Sequence, residues 1–159
     1  MKKSIFVIAI AFISSLVIAQ EKTIADVPKK VSEAFSIKYP SAEITKWKNV
    51  KAGYVAKFSF EKKKYLAYYS TDGEWKKTEM KINLTSKLPD AIKKALHKSD
   101  YASWTIRDIK HVQEPGKNSY TMHVHDGNKL SADRHDAFKT DYLLSFSDVG
   151  ELIKKQKIN

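Results

Sequence analysis

The stretch YLAYYSTDGEW, Tyr65 to Trp75, is written a second time as YLLSFSDVGEL, Tyr142 to Leu152. In each, alternate positions are apolar (Tyr65, Ala67 and Tyr69; then Tyr142, Leu144 and Phe146), and a glycine-bearing turn follows. Period-2 alternation that ends in such a turn reads as a strand, a tight turn and the start of a returning strand. Working outward, GYVAKFSF precedes the first copy and SYTMHVHD precedes the second. Alternation places Tyr54, Ala56, Phe58 and Phe60 on one face, and Tyr120, Met122 and Val124 on its counterpart. Further upstream, ITKWKNV from Ile44 aligns without a gap to IRDIKHV from Ile106, with Trp47 opposite Ile109 and Val50 opposite Val112. Last strands follow the turns, at EWKKTEMKI and ELIKKQKI.

Each set of four strands is preceded by a proline-initiated amphipathic stretch. Val27, Val31, Ala34 and Phe35 form the stripe around Pro28, and Leu88, Ile92, Ala95 and Leu96 repeat it around Pro89. The i, i+4, i+7, i+8 spacing predicts a helix with one apolar face, and proline suits its start because the N–H it lacks has no partner there. The expectation is an α+β fold, a tandem repeat of one helix plus a four-stranded antiparallel meander, with repeats over residues 25–84 and 88–159. The extra residues of the second copy fall in loops, chiefly DGNKLSADRHDAFKT, and insertions at connections leave a sheet intact. Trp47 and Trp75 fall out of step with the core positions Ile44, Met80 and Ile82 on their strands. Either a bulge turns them inward or they stand on the outer face.

Residues 1–19 read as a signal peptide. A lysine-bearing start, the apolar run SIFVIAIAFISSLVIA, and small residues at Val17 and Ala19 match a secretory cleavage pattern of the bacterial Sec type. The expected location is periplasmic or secreted, with no transmembrane span after cleavage. The chain of 159 residues contains no cysteine, so neither disulfides nor thiol chemistry contribute. Its net charge of +11 comes from lysines scattered over alternate strand positions and outer helix faces, apart from Lys62, Lys63 and Lys64 at an expected hairpin tip. No nucleic-acid motif accompanies them, and a solvated basic surface is the reading adopted. An anionic lipid or glycan ligand is a further alternative.

At this point the chain resembles a known family. AFSIKYP, the tryptophan three residues after Ile44, GYVAKFSF and YYSTDGEW are similar to the PepSY-like family, a group of β-lactamase-inhibitor-like exported proteins of the Bacteroidetes. The resemblance spans Ala25 to Ile158, and its motifs are core and turn positions. The second copy departs from the pattern, with Ile109 and Leu152 where the first has Trp47 and Trp75. The resemblance implies a sheet surface, left uncovered by helices, that grips a partner protein, with inhibition of an envelope peptidase or other hydrolase as the expected use.

By alternation the helix-free face carries Val55, Lys57, Ser59, Leu66 and Tyr68 in the first copy, and Thr121, His123, His125 and Leu143 in the second. Mixed apolar, aromatic and basic side chains suit protein binding, and the candidate contact residues are Val55, Lys57, Leu66, Tyr68, His123, His125 and Leu143. The alternative is a periplasmic metal-binding protein. His123 and His125 lie ~7 Å apart on one strand face, and His135, with Asp126, Asp133 and Asp136, follows in the inserted loop. Imidazole and carboxylate suit zinc or copper. No nucleophile elbow, metalloprotease helix motif, phosphate loop or dinucleotide fingerprint is present. The expectation is a non-enzymatic binding protein without a cofactor, whose partner is another envelope or secreted protein.

Overall fold

A computed structural model describes residues 26–126 and 140–158. The signal-peptide expectation for residues 1–19, and His135 with Asp133 and Asp136, lie outside the described residues. Helix α1 (Lys29–Lys38) precedes strands β1 (Glu43–Val50), β2 (Gly53–Phe60), β3 (Lys63–Tyr69) and β4 (Trp75–Lys81). A short 3-10 turn, Thr85–Lys87, then leads to helix α2 (Asp90–Lys98). Strands β5 (Thr105–Glu114), β6 (Lys117–His125), β7 (Asp141–Ser147) and β8 (Leu152–Lys157) complete the chain. All eight strands form one antiparallel sheet in sequence order, β4 pairing with β5 across the middle through Glu79↔Val112 and Met80↔His111.

Both prolines stand immediately before their helices and offer the first carbonyl: the N–H groups of Val31 and Ser32 donate to Pro28 O, and that of Lys93 to Pro89 O. The two apolar stripes bury against opposite halves of one sheet face. Around α1, Val31 and Phe35 meet Trp47, Ala56, Phe58, Ala67 and Tyr69. Around α2, Leu88 and Ile92 meet Ile109, Met122, Val124, Leu144 and Phe146. The first core is aromatic and the second largely aliphatic. Phe35 sits edge-on to Phe58 at 5.0 Å and to Trp47 at 5.5 Å between centroids, arrangements that aromatic quadrupoles favour.

Bulges bring both tryptophans inward. Ile44 pairs with Phe58 but Lys46 with Lys57, so Thr45 is an extra residue, and Trp47 rejoins the inner face opposite Ala56. Likewise Tyr69 pairs with Trp75 and Tyr68 with Lys77, leaving Lys76 unpaired. One inserted residue reverses the parity of everything beyond it. Trp75 then donates its indole N–H to Thr78 Oγ1 at 2.9 Å, and Tyr39 shares a 2.6 Å hydrogen bond with the same oxygen. The second half places bulges at matching points, with Arg107 extra in β5 and Ile153 extra in β8.

Two turn glycines meet the helices in the same way. A Cβ on Gly73 would lie 2.7 Å from Lys30 O, and one on Gly150 would lie 2.8 Å from Ala91 O. Their φ angles, +85° and +91°, fall where side chains are strained. Both edge strands carry lysines, Lys46 and Lys48 on β1 and Lys154, Lys155 and Lys157 on β8, which discourages edge-to-edge pairing.

Candidate functional site

Neither helix covers the second face of the sheet, and it is the candidate interaction surface. The cross-strand row Lys48, Val55, Tyr68, Lys77 runs over β1 to β4. A parallel row runs Lys57, Leu66, Glu79, Val112, Ser119, Ser147 over β2 to β7. Two grooves lie here. One of about 390 Å³ is bordered by Lys48, Val55, Lys57 and Leu66. The other, about 600 Å³, runs past Val112, Thr121, His123, Leu143 and Ile153. Glu79, Asp108 and Lys110 border both.

Glu79 is the centre of this face. Its carboxylate accepts from Lys77 Nζ at 2.5 Å and from Lys110 Nζ at 3.2 Å, although the side chain is only 10% exposed. Burial pushes its pKa up, but the hydrogen bonds and charges of Lys77 and Lys110 outweigh that and hold it below the usual carboxylate range. Lys77 also lies 4.5 Å from the centroid of the Tyr68 ring. Tyr68 is therefore fixed from one side by a cation–π contact. Burial and the neighbouring Glu79 raise its phenol pKa, so it stays a neutral donor. Lys81 Nζ stands 3.0 Å from Asp108 Oδ1.

A group with a depressed folded pKa adds stability above its unfolded pKa, and that stability is lost as pH falls through the folded value. For Glu79 the loss lies below its unperturbed 4.5. Glu79→Gln is expected to cost about 1–2 kcal/mol at pH 7, since Lys77 and Lys110 are exposed enough to rehydrate. The gap between variant and wild type should narrow at pH 3. Urea unfolding at both values measures it, and a pH-independent gap would exclude the linkage.

The predicted contact residues do share this face, but unequally. Lys57 is exposed, while Leu66, Tyr68, His123 and Leu143 are half-buried. Val55 is buried, with Lys48 and Tyr68 flanking it in register. His125 is buried too: Asp141 lies directly opposite and its Oδ1 accepts from His125 Nδ1 at 2.7 Å. The same oxygen accepts from His123 Nε2 at 3.1 Å. Burial raises the Asp141 pKa, and the hydrogen bonds from His125 and His123 more than reverse that, leaving it below the ordinary range. The ring nitrogens thus face one carboxylate oxygen. Among the described residues no group of three His, Cys, Asp or Glu side chains is placed to hold a metal ion. Asp126 is described and exposed, its backbone N–H donating to Thr140 O.

Sequence reading missed Glu79, Lys110 and Asp141. Asp141 was within reach of it, since it stands two residues before Leu143 and alternation puts both on one face. The Glu79–Lys110 pair was not, because it depends on β4 joining β5. No helix among the described residues is long and apolar enough to cross a membrane.

None of the curated proteins matches the chain. Among solved structures, a BLIP-like protein (β-lactamase-inhibitor-protein-like) from Bacteroides fragilis superposes with a TM-score of 0.70 at 21% identity, over 82% of this chain and 86% of that one. A DUF2874 family protein from Bacteroides ovatus gives 0.70 at 20% identity, over 82% and 87%. A "putative periplasmic" protein from Bacteroides eggerthii gives 0.67 at 23% identity, over 83% and 89%. These likenesses establish a shared fold. The family model described as "Putative beta-lactamase-inhibitor-like, PepSY-like" matches residues 18–68 and 52–154. With both matches together spanning most of its length, the chain belongs to the PepSY-like family.

Proposed function

We propose that this chain is a tandem repeat of two helix-plus-four-strand units, exported to the periplasm, that binds another envelope protein through its helix-free sheet face without catalysing a reaction. The repeat reading is supported by the bulges at Thr45 and Arg107 and at Lys76 and Ile153, and by the matched approach of Gly73 and Gly150 to the helix backbones. Export is supported by residues 1–19, and by the description of the similar protein from Bacteroides eggerthii as "putative periplasmic".

The observation that carries the binding reading is the open face itself. Side chains from all eight strands lie on it, two grooves run along it, and Tyr68 and Leu66 stand half-buried there between fixed charges. Tyrosine held by its neighbours offers contact area at low entropic cost. Modulation of an envelope hydrolase is the use that the family description suggests. Site-specific photo-crosslinking in intact cells tests the reading. A crosslinker at Leu143 or Lys57 should trap a discrete partner, and one at Ile37 on the helix side should not. Tyr68→Ala should reduce the Leu143 adduct at least several-fold. Equal adducts from both sides of the sheet would overturn the reading.

A further inference from the structure

On the helix side, between the two hydrophobic cores, lies an open groove of about 690 Å³. Lys62, Lys63 and Lys87 border it, as do Lys64 and Lys81, whose side chains by register belong to the opposite, helix-free face. Among the described residues only Lys81 of these forms an ion pair, with Asp108, and no acidic side chain lines the groove. The floor is apolar, made by Met80, Ile82 and Tyr120. His111 stacks on Tyr120 with ring centroids 4.8 Å apart, and burial holds its pKa below the ordinary histidine value. This side of the floor therefore adds no charge near neutral pH.

The hairpin tip that brings the lysines here is costly. Glu61 and Lys62 have φ angles of +48° and +62°. Two-residue hairpin turns with both φ values positive favour Asn-Gly, and a residue with a Cβ costs roughly 1–2 kcal/mol there. The tight turn nevertheless sets Lys63 opposite Phe60, on the same sheet face as Tyr65 and the groove floor. Strain of this kind is retained where the surroundings or a function compensate it. Clustered like charges add a further cost, since among the described residues Lys62, Lys63 and Lys87 have no acidic partner in the groove.

The geometry points to a binding site for a phosphate-bearing amphiphile, its anionic group held by Lys63 and Lys87 and its apolar part resting on Met80, Ile82 and Tyr120. The volume lies within the roughly 300–1,000 Å³ of small-molecule sites. Lysine ammonium groups suit phosphate as compact point charges. An apolar floor beneath them contributes nothing to a bare ion, and so distinguishes an amphiphile from free phosphate. The site is on the opposite side of the sheet from Tyr68 and does not depend on the partner-binding reading.

The test is amide chemical-shift mapping of the purified chain with soluble dihexanoyl phosphatidic acid. Dihexanoyl phosphatidylcholine and sodium phosphate at equal concentration are the comparisons. Phosphatidic acid is expected to give saturable shifts centred on Lys63, Lys87 and Tyr120, with weaker responses to the other two. Lys63→Glu/Lys87→Glu should lower the affinity about tenfold or more. Lys63→Arg/Lys87→Arg should retain it, and Tyr68→Ala should leave it unchanged. The urea midpoint of each variant verifies folding. Shifts spread over every lysine-bearing surface, no saturation, or an affinity unaltered by charge reversal would overturn the proposal. A response to sodium phosphate equal to that of phosphatidic acid would overturn the amphiphile assignment.

Discussion

Phe35→Ala is expected to lower the stability of the fold by about 3–5 kcal/mol, the range for emptying a buried aromatic site. Phe35 is 1% exposed, and its ring touches those of Tyr39, Trp47, Phe58 and Tyr69. These four rings come from the stretch after α1 and from three different strands, so no single local shift can refill the space. A domain stable by about 5–15 kcal/mol would lose a large share of its margin. Leu96 holds the matching place on α2 but is only partly buried against its core. Leu96→Ala should therefore cost less, about 2 kcal/mol. Urea unfolding of both variants decides it. Because β4 and β5 join the halves into one sheet, a single transition is expected. A loss below 1 kcal/mol for Phe35→Ala would mean that α1 does not depend on this ring.

The second large effect concerns the approach of the β3–β4 turn to α1. Gly73→Ala would introduce a Cβ 2.7 Å from the backbone carbonyl oxygen of Lys30, at a φ of +85°. A helix carbonyl cannot rotate aside as a flexible side chain can. The substitution must lift the turn from the helix, and a cost of about 2–4 kcal/mol is expected from conformation and clash together. Gly116→Ala supplies the control. Its φ is +70°, yet an added Cβ would meet nothing within 4 Å. It should cost only about 1 kcal/mol, the conformational part alone. Similar urea midpoints for the two variants would remove the helix contact as the reason for glycine at 73.

The order of helices and strands was legible because burial selects periodicity. Stripes such as Val31 and Phe35 or Leu88 and Ile92 face inward only in a helix, and Ala67 and Tyr69 or Leu144 and Phe146 only in a strand. The inner face of the sheet followed from the same alternation. Alternation also named Val55, Lys57, Leu66, Tyr68, His123, His125 and Leu143 as one outer face, and they do share it. It could not rank their exposure. Val55 and His125 are buried, with Lys48 and Tyr68 beside the one and Asp141 beside the other on adjacent strands.

The tryptophans mark the same boundary between local and tertiary information. Counting along β1 and β4 left Trp47 and Trp75 with two possible sides, because a bulge depends on the partner strand as much as on its own residues. Thr45 and Lys76 carry no local mark of being extra.

By itself, the amino-acid sequence determined two helices, eight strands and the inward face of the central strands of each half, since periodicity is a property of neighbours along the chain. Tertiary structure alone decided that β4 joins β5, and thereby that Glu79 meets Lys110 and that Lys63 and Lys87 share one apolar floor with Tyr120, while β6–β7 register decided that Asp141 receives both histidines. Those contacts arise between residues distant in sequence, and their geometry is set by sheet register.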